Sequence, residues 1–202
     1  MEIITGLINS YNLYAEYLAI FFWISLLFAF ILNINDSNRV WILSTFFIVY
    51  SVDILLIRSI LPQELITRQT AYSLIDLTII LLLKYRVVIC RSLLYVSNSN
   101  SEKNSFIHDV LTNIDCTKQE YAIRRILKWS IAINIALIAE HLARHPDFIG
   151  FDARPDLQSS MQTLFVLYPL IKTILTSGIV LGLLSMTLEG WENRKSSKNI
   201  LN

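Results

Sequence analysis

The chain has 202 residues, 54% of them hydrophobic and only 16% charged, and its mean hydropathy is +0.51. A soluble domain carries about 25% charged residues, so this composition excludes an ordinary water-soluble globule. Five Gly and four Pro exclude collagen and low-complexity chains, and a net charge of +1 gives no global attraction for nucleic acid. The two cysteines make no disulfide framework. The class implied is all-α: a small polytopic membrane helix bundle.

A helix crosses about 30 Å of hydrocarbon with roughly 20 apolar residues. The first predicted span runs from about Tyr14 to Ile34. Glu2 and Glu16 precede it but no Lys or Arg does, and no small-residue cleavage site follows, so it reads as a span and not as a signal peptide. A polar turn from Asn33 to Asn38 leads to the second span, Val40 to Leu61, closed by Pro62. The third is Ala71 to Leu83. A basic, polar segment from Lys84 to Arg125 follows, then the fourth span, Ile126 to Ala143, and the fifth, Met161 to Leu188. A polar tail from Glu189 to Asn202 ends the sequence. Lys128, Glu140, His141 and Arg144 dilute the fourth span; without it the count is four.

Charge distribution favours five. The Asn33–Asn38 turn, the Lys84–Arg125 segment and the tail then share one side, and with their flanks they carry most of the Lys and Arg. The opposite side has Arg58, Arg68, Arg144 and Arg154. The positive-inside rule puts the N-terminus outside and the C-terminus in the cytoplasm, as expected for a multi-pass protein of a cell inner membrane.

Residues 97–125 form the expected cytoplasmic unit between the third and fourth spans. Ser97 to Ser101 is a linker by composition. Phe106, Val110, Leu111 and Ile114 recur at helical spacing. Thr117-Lys-Gln-Glu120 is a capping-box pattern, and the helix it starts continues through Arg124 and Arg125 into the fourth span. Cys90 and Cys116 fall on this reducing side and are expected as free thiols.

Inside or near the spans sit Asp53, Arg58, Asp76, Glu140, His141, Arg144 and Lys172. An ionised residue at a helix centre costs about 2.5–3.5 kcal/mol, so these residues should face the bundle interior. Measured from the span ends, most fall in the outer half of the membrane, Asp76 about 8 Å and Lys172 about 16 Å below the outer surface. Three acids and three bases, with Glu140 and Arg144 an i,i+4 pair, suit a structural ion-pair network. A working site for an ion, a proton or a lipid headgroup is the competing reading. His141 and His145 share a helix face, yet no third ligand stands at a diagnostic spacing, and no metal site is expected.

Gly178-Ile-Val-Leu-Gly182, extended by Ser185, is a small-residue step for close helix packing, within the monomer or between subunits. Tyr168-Pro169 is expected to kink the fifth helix and to free a carbonyl near Lys172. Tryptophans near span ends read as an interfacial belt. Arg124, Arg125 and Lys128 lie at a membrane surface and suit anionic lipid better than nucleic acid. No P-loop, nucleophile elbow, CxxC pair or acidic metal cluster is present, so neither an enzyme nor a cofactor is expected.

The leading expectation is a non-enzymatic sensor or anchor subunit. It oligomerises with itself in the membrane and docks a cytosolic protein through residues 97–125 and the tail, with the loop from Arg144 to Ser160 as its external contact. The alternative is a small oligomeric ion channel or transporter lined by the polar band. In size, span number and the placing of its cytoplasmic segment, the chain resembles the membrane subunit of Kiwa-type anti-phage defence systems. That resemblance implies a sensor of phage attachment paired with a cytosolic DNA-binding effector. Those subunits are usually described as four-span, where five are counted here.

Overall fold

In the computed structural model of the chain, the described residues are 17, 20–34, 36–53, 64–96, 117–152 and 163–200. They are helical, with no strand among them. The helices are α1 (Ile20–Leu32), α2 (Ser37–Val52), α3 (Leu65–Lys84), α4 (Arg86–Val96), α5 (Lys118–Arg144) and α6 (Thr163–Ile200), with a 3-10 turn at Pro146–Ile149.

Three helices are long and apolar enough to cross a membrane: α3, α5 and the Thr163–Glu192 part of α6. The sequence led us to expect five. Within the described residues α1 rises about 20 Å and α2 about 24 Å, both short of a 30 Å core. The outer ends of those two expected spans, including residues 54–61, lie outside the described residues, as do Arg58, Phe106, Val110 and Ile114.

Local chemistry sets the helix starts. The Asp36 carboxylate accepts from the Arg39 N–H at 3.2 Å and caps α2. The Thr117 hydroxyl accepts from the Glu120 N–H at 3.1 Å and caps α5, which then runs unbroken past residue 125. Residues 118–125 are therefore the first turns of a long helix, as the capping-box pattern led us to expect. Helix α3 starts at Leu65 rather than at Ala71. Thr67, Arg68, Gln69 and Thr70 read as loop in the sequence, but Gln69 turns inward and is buried.

The core is a seam along α5, which packs against both α3 and α6. Its buried positions are Glu120, Ile123, Leu127, Ser130, Asn134, Leu137 and Arg144. From Glu120 to Leu137 the spacing alternates three and four, the 3.5-residue repeat of a left-handed helix pair. Helix α2 lies against α3 and α6. Helix α1 meets α2 through Phe22 on Tyr50 (ring centroids 4.6 Å apart) and Trp23 on Phe47 (4.2 Å).

A Cβ on Gly178 would stand 3.1 Å from Ile126 Cδ1, and one on Gly182 would stand 3.0 Å from Ile123 Cγ1. The glycine step thus seats α6 on α5 within one chain, while Ser185 is exposed. Gly182→Val is expected to destabilise the protein by about 1–3 kcal/mol through overpacking. A denaturant titration of the detergent-purified protein checks it, and Gly182→Ala should cost less because Ile123 need yield only slightly.

The surface of the bundle is apolar where that of a water-soluble one is polar, and some polar residues lie inside with the apolar core. Leu74, Leu77, Leu81, Ile135, Ile174, Leu181 and Leu188 are exposed, whereas Gln69, Asp76, Ser130 and Asn134 are buried.

Candidate functional site

Two polar clusters interrupt the apolar seam. The first lies half-way along α3, because that helix starts early: Asp76 is 11 residues past Leu65, about 17 Å along the helix. Lys172 is 9 residues past Thr163, about 14 Å along α6. The two meet, with Lys172 Nζ 3.6 Å from Asp76 Oδ2. Ser130 bridges them from α5: its hydroxyl donates to Asp76 at 2.5 Å and accepts from Lys172 at 2.6 Å. Lys172 also lies over the Tyr72 ring, 5.9 Å from its centroid.

One turn along, the Tyr168 hydroxyl donates to Gln69 Oε1 at 2.8 Å and sits 3.2 Å from the Asn134 side-chain amide. A phenol has one proton. It therefore serves one of the two carbonyl oxygens at a time, Gln69 Oε1 or Asn134 Oδ1. Together the seven side chains tie α3, α5 and α6 over adjacent helical turns.

The second cluster closes one end of the bundle. Arg86, buried at 3% exposure, donates to Asn38 Oδ1 at 2.5 Å and to Glu120 Oε2 at 3.1 Å. Arg124 approaches the other oxygen of Glu120 at 3.5 Å. Arg39 pairs with Asp36 at 3.2 Å and lays its guanidinium where a side chain on Gly190 would stand. Asn33 donates to Thr187 at 3.2 Å, and Gln119 donates to Glu189 at 2.8 Å. The α1–α2 turn, the α3–α4 corner and the start of α5 thus gather around the polar part of α6. Sequence reasoning assigned all four to the cytoplasmic side.

The expected intramembrane band divides. Asp76 and Lys172 come together, but Glu140 and Arg144 do not pair with each other among the described residues. Glu140 Oε2 accepts from the Phe165 N–H at 3.1 Å at the start of α6, and Arg144 lies over the Phe165 ring at 5.4 Å. The helix N-terminus, positive by its unpaired N–H groups, takes the carboxylate that Arg144 was expected to hold. His141 rests on His145 and Phe148, with ring centroids 4.7 and 5.7 Å away. Asp53 is buried at the end of α2. Helix α6 continues through Pro169, and the Lys172 ammonium goes to Ser130 and Asp76.

Reading the sequence missed Gln69, Tyr72, Ser130, Asn134 and Tyr168 in the first cluster, and Asn38, Arg86 and Glu120 in the second. The signal was available on α5, where Glu120, Ser130 and Asn134 occupy the same 3.5-residue repeat as Ile123, Leu127 and Leu137.

Cys90 on α4 is a buried free thiol. Burial pushes its pKa up, and the nearby Arg86 charge only partly offsets that. The thiolate being the nucleophile, Cys90 is expected to resist maleimide at pH 7–8 in the folded protein and to react at once in denaturant. Mass-shift counting of labelled chains checks this.

No protein-family model, curated protein or solved structure matches the chain.

Proposed function

We propose that the chain is a non-enzymatic, multi-pass membrane subunit of a cell inner membrane whose basic end anchors a cytosolic protein. The observation that carries this reading is helix length. Helix α6 has 38 residues, about 57 Å, against a hydrocarbon core of about 30 Å. Its polar stretch from Glu189 onward extends about 18 Å, and α5 adds about 12 Å between Lys118 and Arg125. Both lie at the end closed by the Arg86–Glu120 and Arg39–Gly190 contacts, so that end is braced. The resemblance to Kiwa-type membrane subunits in size and topology adds phage-attachment sensing to the proposal and transfers no residue role. Self-association in the membrane belongs to the same reading.

Purification from the native cell in gentle detergent, followed by mass spectrometry of the intact complex, tests it. The reading expects a soluble protein in fixed ratio with the subunit, lost when residues 98–113 are deleted or α6 is shortened to Glu192. Undiminished capture by both shortened forms would overturn it. The channel reading rests on the Asp76–Ser130–Lys172 row inside the bundle. It expects liposome flux that disappears when Asp76 is neutralised in a chain that still folds.

A further inference from the structure

Helix α5 carries a second seam, facing away from the bundle. Lys118, Tyr121, Arg125, Lys128, Ala132, Ile135 and Ala139 follow the same three–four spacing as the buried seam, and all are exposed. Trp129, 59% exposed, flanks this line beside Lys128. The seam changes character once: it is basic and aromatic down to Lys128 and Trp129, then wholly apolar from Ala132 to Ala139.

Three carboxylates described at this end are engaged elsewhere. Glu120 is held by Arg86 and Arg124, Asp36 by Arg39, and Glu189 by Gln119. Arg125 and Lys128 point outward and form no ion pair among the described residues. A second copy of the chain meeting this face seam to seam would set Arg125 and Lys128 against their own counterparts, a like-charge contact. What fits is a molecule with an anionic head and an apolar tail.

We propose that the outward seam of α5 binds an anionic phospholipid. The headgroup phosphate lies at Arg125 and Lys128, the Trp129 indole at the glycerol level, and an acyl chain along Ala132, Ile135 and Ala139. This rests on the membrane reading above. An indole sits well at the polar–apolar boundary, and lysine carries its ammonium up to the headgroups on an apolar stem.

The test is titration of the full-length protein in neutral detergent with phosphatidylglycerol or phosphatidylcholine of identical chains, read by native mass spectrometry. Wild type should prefer phosphatidylglycerol, and the preference should shrink as salt rises. Arg125→Gln with Lys128→Gln should lower phosphatidylglycerol affinity about 30-fold, from the usual worth of two interfacial cations, and lower that of phosphatidylcholine, whose choline offsets its phosphate charge, much less. Should that double variant not fold, Ala132→Trp blocks the acyl path without touching charge and should weaken both lipids. An unchanged preference in the double variant, or unchanged binding in Ala132→Trp, overturns the site. So does a double variant that keeps its lipids but releases a co-purified soluble protein, because the cations then serve that partner. Carbonate extraction of cell membranes separates the two levels: a chain released by carbonate defeats the membrane reading itself, whatever the lipid result.

Discussion

Replacing Lys172 by Met is expected to destabilise the purified protein by about 2–3 kcal/mol, while replacing Asp76 and Lys172 together by Leu and Met should cost much less than the sum of the single changes. Removing one member of a buried ion pair typically costs about 3–5 kcal/mol, because a desolvated charge is left behind. The lower figure applies here because the Lys172 side chain keeps 25% of its exposure, and because Ser130 still donates to Asp76 at 2.5 Å after the lysine is gone. An apolar pair of similar volume removes both charges and leaves only the Ser130 hydroxyl to satisfy. SDS titration of the four proteins gives the coupling directly. Strict additivity would mean that Asp76 and Lys172 do not act on each other.

A further variant, Asp76→Asn, separates the functional readings. A structural row loses stability and yields nothing in a flux assay at any stage. A conducting row shows flux in wild type and loses it in Asp76→Asn, whose amide oxygen still accepts from Ser130 and whose fold should survive.

Much of this architecture is legible in residue types, and the errors have identifiable causes. Hydropathy finds the apolar middle of α3, α5 and α6, because leucine and isoleucine dominate there whichever face they occupy. It misplaces the start of α3, because Thr67, Arg68, Gln69 and Thr70 are polar residues that a bundle can turn inward or leave at its rim. That six-residue error moved Asp76 from the middle of the helix to its edge, and so hid its partner. Charge alone picked out Asp76 and Lys172. Ser130 and Asn134 carry no charge, and only the heptad register on α5 shows that they face the same seam; Tyr168, also uncharged, lies on α6, outside that register. The expected Glu140–Arg144 pair failed for a different reason. Sequence spacing knows nothing of the N-terminus of α6, which reaches Glu140 from 25 residues away.

Glu120→Gln is the second change with a large expected effect, about 3–5 kcal/mol, a substantial part of a typical stability of about 5–15 kcal/mol. Glu120 is 1% exposed and Arg86 3%, so the guanidinium left behind has no water to compensate it. Asn38 would remain as its neutral partner. The glutamate also stands in the first turn of α5, where a negative charge favours the helix N-terminus. Arg124→Ala provides the contrast. Its contact with Glu120 is 3.5 Å long and its side chain 21% exposed, so its loss should cost no more than about 1 kcal/mol. Both residues lie on the same turn of the same helix, and both belong to the end proposed to hold the cytosolic partner. If the braced end positions that partner, Glu120→Gln should reduce capture before the spans lose their helicity by circular dichroism, and Arg124→Ala should leave capture intact. Equal capture by the two variants, at equal expression, would show that the Arg86–Glu120 contact serves stability alone.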